Sequence, residues 1–180
     1  MSGKLTHEPA SDRPELLSES ALDALGKLGL ADRVQVAQID PALADTAAFC
    51  AEYGVTLEES ANCVVLAGKR TGEVFYAACM VLATTRADVN GLARRHLGVR
   101  KLSFAPMDDA VGLTGMEYGG ITPIGLPADW PILVDRAVAE APRVVVGSGI
   151  RGSKLWLPGS VLAELPNAEV LDGLGVPISA

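Results

Sequence analysis

The 180-residue chain is 49% hydrophobic, enough apolar material for one core, and is most simply a single domain. Its formal net charge of −7 speaks against a protein that grips long stretches of duplex DNA by the phosphates, so any nucleic-acid contact is local. No run approaches the roughly 18 apolar residues of a membrane helix, and the polar start lacks the apolar core of a secretion signal.

A cytoplasmic protein with no membrane partner is therefore expected. Residues 1–17 read as a flexible lead-in and residues 18–180 as the domain. "SESALDALGKLGL" forms a helix with Ser18 or Ser20 as N-cap and Leu22, Leu25 and Leu28 at helical spacing. "RVQVAQI" alternates as a strand. "DTAAFCAEYG" is a short helix that starts at Asp45 or Thr46 and stops at Gly54. "NCVVLAG" and "EVFYAACMVL", joined by the polar "KRTG", read as a β-hairpin. Cys50, Cys63 and Cys79 have no CxxC spacing and apolar neighbours, so they are read as small buried hydrophobes. With only His7 and His96 as histidines, no metal site is expected, and no cofactor.

"RADVNGLARRHLG" places Val89, Leu92, Ala93 and His96 on one helical face and ends at Gly98. "KLSFA" is a short strand, and "PMDDAVGLTG" opens a helix with Pro106 as first residue. Arg94 to Lys101 is the densest basic segment. It either meets nucleic-acid phosphates or complements the carbonyl end of its own helix, and the second reading is favoured.

"GMEYGGITPIGLPADWP" holds too many glycines and prolines for a regular element and is too apolar for a solvated linker. It reads as an ordered loop over a cavity. "ILVD" and "RVVVG" are buried strands separated by a short helical "RAVAEA". Gly147, Gly149 and Gly152 then spell G-x-G-x-x-G, the dinucleotide-binding spacing. In that motif the glycines open a helix, whereas here "SKLWLPG" is extended and too little chain follows for the remaining strands. The glycines are read instead as a strand-to-strand turn whose N–H groups form an anion or oxyanion nest. A helix in "GSVLAEL" and a strand at "EVL" complete the chain.

"GGITPIG" (Gly119 to Gly125), "PILVD" ending in Asp135, and "GSGIRGSKLWL", in this order and at these separations, resemble the YbaK/EbsC family. Its members are free-standing relatives of the editing domain inserted in bacterial prolyl-tRNA synthetase. The resemblance implies an α+β fold, a mixed and strongly curved sheet (a partial barrel) with flanking helices. It implies a trans-acting deacylase that hydrolyses the ester of a small mischarged amino acid, commonly alanine or cysteine on a proline-type tRNA. The partner implied is the aminoacyl-tRNA 3′ end, with a synthetase as a further one. The family's G-x-x-x-P loop falls on Gly119 to Pro123, its aspartate on Asp135 and its glycine turn on Gly147 to Gly149. The family's lysine falls on Asn62, which donates a hydrogen bond but brings no charge.

Catalytic roles are accordingly expected for Asn62, Gly119, Gly120 and Asp135. Backbone N–H groups of Gly119–Gly120 and Gly147–Gly149 are the expected oxyanion donors. Ile121, Thr122 and Ile124 are candidates for the wall of an apolar sieve, and Ile121, Thr122 and Pro123 of the loop are expected to bind substrate. Gly147, Ser148, Gly149, Arg151 and Lys154 are candidates for holding substrate. Each has a plainer reading. Gly119, Gly120 and Pro123 form a turn, Asp135 caps the next helix, Ser148 supports its turn, and Arg151 and Lys154 are solvated charges. The alternative function is a non-catalytic member that binds an aminoacyl-adenosine-like ligand, a tRNA 3′ end or a synthetase, and Asn62 favours it.

Overall fold

The computed structural model describes residues 4–178. Two open β-sheets share the main core. The first has the order β1 (Glu8–Pro9), β2 (Gln35–Gln38), β9 (Ser153–Leu157), β8 (Val144–Gly147), all antiparallel. The second runs β10 (Ala168–Leu171), β7 (Ile132–Asp135), β4 (Glu73–Leu82), β3 (Ala61–Arg70), β6 (Leu102–Phe104). There β7 lies parallel to both β4 and β10, and the other pairings are antiparallel. A separate antiparallel pair joins β5 (Thr85–Ala87) to β11 (Gly175–Pro177). One parallel bridge, Ser60 to Val145, links the two large sheets. The fold is thus α+β with a mixed sheet, as the resemblance implied.

Side-chain alternation explains the layers. On the first sheet Val36, Val144, Val146, Leu155 and Leu157 point into the main core, where they meet Met80, Ile132 and Val134 of the second. The opposite face of the first sheet presents Ala37, Val145 and Trp156 to helix α2 (Thr46–Tyr53), whose Phe49 is fully buried there. Strand β9 is therefore covered on both faces, and all five of its residues are buried. On the second sheet Ala77, Cys79 and Val81 face away from the main core, under the segment that runs from Val89 to helix α3 (Arg94–Leu97).

Several local expectations change. The chain from Glu8 to Leu17 is packed rather than flexible: Ala10, Leu16 and Leu17 belong to the main core, and the Ser153 hydroxyl bonds the Leu16 carbonyl. Residues 1–3 lie outside the described residues. Helix α1 (Glu19–Lys27) is capped by Ser18, whose hydroxyl accepts from Ala21 N–H at 3.2 Å, but Leu28 points outward. The Asp88 carboxylate accepts from the N–H groups of Gly91 and Leu92 and opens a π-helical turn over Val89–Ala93. That wider turn shifts the phase, so Val89, Ala93 and Leu97 are buried while His96 turns outward to pair with Glu169. Pro106 is the N-cap of α4 (Met107–Thr114) rather than its first residue.

Candidate functional site

Strand β3 has an uncovered stretch of edge. Its pairing with β6 begins only at Leu66, and the bridge to β8 ends at Ser60. A cavity of about 390 Å³ opens there, within the usual range for small-molecule sites. Four segments converge on it: Asn62 and Cys63 of β3, Thr46 at the start of α2, Gly119 and Ile121 of the glycine-rich loop, and the β8–β9 pair through Gly147 and Lys154. Larger hollows exist, including one of about 1020 Å³ between α1 and the end of α4, but none gathers these groups.

Lys154 gives this cavity its electrostatic character. It lies on the Trp156 side of β9, so α2 covers it, and only 8% of the residue is exposed. The reading as a solvated charge is corrected. Its Nζ donates to the Ala44 carbonyl at 2.9 Å and lies 5.4 Å from the centre of the Phe49 ring. No carboxylate forms an ion pair with it among the described residues. Burial is the main reason that its pKa falls from 10.5 to about 8. An ammonium has three donors and this one uses a single one on the protein, so a negatively polarised occupant would find donors to spare. Beside it, the Thr46 hydroxyl donates to Asn62 Oδ1 at 2.7 Å. That contact occupies the acceptor of the amide and leaves its NH2 as the donor.

The glycines divide into two kinds. Gly119 lines the cavity with φ of +88°, and its N–H has no partner among the described residues. Gly120, by contrast, is laced into the fold. Its N–H donates to the Glu117 carbonyl at 2.9 Å, and its carbonyl accepts from Gly149 N–H at 2.7 Å. A Cβ on Gly147 would lie 2.5 Å from the Gly120 oxygen, which forces glycine at that crossing. The N–H groups of Gly120 and Gly149, expected as oxyanion donors, are therefore spent inside the protein. The Ser148 hydroxyl is fully buried against Ser153 and the Ile150 carbonyl, so it supports the turn.

Of the proposed sieve wall only Ile121 reaches the cavity. Thr122 is fully buried and accepts from Ile124 N–H at 3.4 Å, Ile124 is in the main core, and Pro123 faces a groove beside α1. Asp135 does not line the cavity either. It ends β7 and N-caps α5 (Arg136–Ala139). Burial pushes its carboxyl up, and neighbouring N–H groups of Gly175, Arg136 and Leu174 pull it back.

A family model for the aminoacyl-tRNA editing domain matches residues 40–165, well over half of the chain and every segment of the cavity. The chain belongs to the YbaK/EbsC family of aminoacyl-tRNA editing domains. It is 24% identical over 106 residues to the Enterococcus faecalis protein named "Putative Cys-tRNA(Pro)/Cys-tRNA(Cys) deacylase EbsC". That match covers 59% of this chain and 62% of the relative's length. Among solved structures, a "putative trans-editing enzyme for prolyl tRNA synthetase" superposes with a TM-score of 0.73 at 24% identity, over 87% of this chain and 97% of the other. A hypothetical protein of known structure gives 0.74 at 23% identity, over 88% and 100%. These likenesses establish the fold.

Within this editing domain some lining groups had no signal in the sequence. Thr46 precedes Asn62 by sixteen residues and was read only as a helix cap; the two meet because α2 docks beside the start of β3. Cys63 lines the cavity, but burial pushes its thiol up to about 12, so it remains protonated and is no nucleophile. Arg151 works from outside. Its backbone N–H donates to Glu117 at 2.8 Å, its Nη1 to the Tyr118 carbonyl at 3.0 Å and its Nε to the Pro41 carbonyl at 3.2 Å. It also lies 3.9 Å from Asp45. Arg151 thus straps the glycine-rich loop to the segment before α2. Arg151→Ala is expected to cost about 1–2 kcal/mol in urea unfolding and to speed amide exchange at Gly120, whose N–H is bonded to the Glu117 carbonyl, while sparing the core strands. Unchanged exchange at Gly120 would show that the loop holds itself.

Proposed function

We propose that this editing domain is a trans-acting aminoacyl-tRNA deacylase, and that it hydrolyses the ester of a small amino acid wrongly attached to a proline-type tRNA. The observation that carries the reading is the cavity itself, where a buried ammonium without a carboxylate partner stands beside the free N–H of Gly119 and the amide of Asn62.

An aminoacyl ester is already activated, so hydrolysis needs no covalent intermediate with the protein. Water adds to the carbonyl carbon, the carbon–oxygen bond to the ribose breaks, and a proton passes to the departing ribose oxygen. What the protein supplies is position and charge. In this reading Gly119 N–H and the Lys154 ammonium meet the oxygen that becomes negative, and the Asn62 amide orients the ester. Ile121 bounds the space for the amino-acid side chain. Neither histidine lines the cavity. A second sieve is useful because a synthetase pocket rejects a substrate one methylene smaller by only about 1–3 kcal/mol. The names of the E. faecalis relative and of the trans-editing enzyme support cysteine and proline-type tRNA as the first substrate to try. No helix among the described residues is long and apolar enough to cross a membrane. Because the proposed substrate is a charged tRNA, we place the protein in the cytoplasm.

The test is release of amino acid from a panel of tRNAs charged with alanine, cysteine, proline and phenylalanine. Hydrolysis of the small esters with the phenylalanyl ester untouched is expected. A rate equal to buffer across the panel would overturn the reading. Binding of a non-hydrolysable aminoacyl-adenosine in that case would establish the non-catalytic function, which Asn62 favours by standing where the family has lysine.

A further inference from the structure

We propose that a basic groove further along β3 from the cavity, toward the tip of the β3–β4 hairpin, is the docking surface for the sugar-phosphate backbone of the tRNA acceptor stem. The groove has a volume of about 900 Å³, and Lys69, Arg70, Arg100 and Lys101 line it. This inference rests on the deacylase reading for the identity of its nucleic acid, but on separate residues.

Three observations carry it. The first is the state of the charges. Arg13, Lys27, Arg33, Arg136 and Arg151 each lie against a carboxylate, as expected in a chain of net charge −7. None of the four groove cations has an ion pair among the described residues. Arg70 bonds the Leu97 carbonyl and stacks 4.8 Å from the Phe75 ring, whereas Lys69, Arg100 and Lys101 are exposed. The one carboxylate lining the groove, Asp109, accepts from the Tyr76 hydroxyl at 3.2 Å, and Glu73 stands across the hairpin from Arg70. Cations dominate the groove, and Lys69, Arg100 and Lys101 have no side-chain partner among the described residues.

The second observation is shape. The floor includes half-buried Ala67 and exposed Ser103, small residues of β3 and β6. A backbone rather than a side chain fits such a floor. Phosphate contacts of this kind set register without reading sequence, which suits a protein that must accept the stem while inspecting its far end.

The third is position. The groove follows the cavity along one strand, with β3 giving residues 61–64 to the cavity and residues 67–70 to the groove. From Cys63 to Lys69 the strand advances roughly 20 Å. Stacked nucleotides rise about 3.4 Å each, so a 3′ end seated in the cavity places the groove some six nucleotides back, in the first base pairs of the stem. Arg94 to Lys101 thus splits in two: Arg94 and His96 are engaged locally with Asn90 and Glu169, and Arg100 and Lys101 serve the groove.

The experiment compares the wild-type chain with Lys69→Glu/Lys101→Glu on two substrates, a full mischarged tRNA and the same amino acid esterified to adenosine alone. The variant is expected to bind tRNA at least tenfold more weakly, with the slope of log affinity against log salt reduced by about two. Its rate on the short ester should match wild type, because both residues are exposed and remote from the cavity. Equal tRNA affinity and salt slope in the variant, or no tRNA binding by wild type, would overturn the groove. Failure of the deacylase reading looks different: wild type leaves the short ester intact, while loss of tRNA affinity in the variant still assigns the groove.

Discussion

Lys154→Met is expected to lower kcat/KM for ester hydrolysis by about 10²–10³, the cost of removing one well-placed oxyanion donor, and to leave the chain folded and more stable. The stability half follows from linkage. Lys154 titrates near 8 in the folded chain against 10.5 for a free lysine. Below pH 8 the side chain is charged in both states, so the full cost of burying the ammonium is present. Between about 8 and 10.5 the unfolded chain binds more protons than the folded one, so stability rises with pH through that window and then levels. The shift corresponds to roughly 3 kcal/mol as an upper bound. Methionine keeps the apolar stem in place and removes the charge, so a gain of about 1–3 kcal/mol is expected in urea at pH 7, less whatever the bond to Ala44 contributed. Wild type and variant should converge only as pH passes about 10.5. Activity should show the opposite trend, falling as pH rises through about 8 and the ammonium loses its proton. Lys154→Arg, which keeps a cation, should retain part of the rate. A methionine variant with wild-type kcat/KM would remove Lys154 from the mechanism.

A buried cation that weakens the fold is a common sign of a site built for a ligand's charge, and it explains why this residue was hard to find in the sequence. In "SKLWL" a lysine beside an apolar strand reads as a side chain that carries its charge to water. What buries it is the docking of α2 on the outer face of the first sheet, through Phe49 and the Ala44 carbonyl. No local pattern encodes that contact. The Thr46–Asn62 hydrogen bond has the same origin. The order of elements was legible, because alternation in "RVQVAQI" and "EVFYAACMVL" and the stops at Gly54 and Gly98 are local properties. Departures came where tertiary structure set the phase. The π turn over Val89–Ala93 rotates His96 out, and the polar stretch before α1 hides Ala10, Leu16 and Leu17, three residues of the main core.

The glycine fingerprint and the Gly119–Gly120 loop laced to it provide the second large effect. Gly120→Ala is expected to cost about 2–3 kcal/mol, the upper part of the range for overpacking, and to lower kcat/KM more than tenfold. Its Cβ would lie 2.5 Å from the Ile150 oxygen and 2.6 Å from the Ile150 carbon, backbone atoms that cannot swing aside. The same shift would break the bond from Gly149 N–H to the Gly120 carbonyl and displace Gly119 at the cavity. Gly147→Ala should behave alike, since its Cβ would press on the Gly120 oxygen at 2.5 Å. Gly152→Ala should not. The nearest atoms to its Cβ, Ile150 Cδ1 and Pro41 Cγ, are both 3.8 Å away, and stability should stay within about 0.5 kcal/mol. A dinucleotide motif needs its third glycine for close helix–strand packing, whereas in this turn the third glycine leads into β9 and is free to change. Urea unfolding of the three alanine variants therefore separates the two origins of one sequence pattern. A large loss at Gly152 with little at Gly120 would contradict the lacing of the two glycine segments, and with it the placement of Gly119 as the loop's donor to the ester.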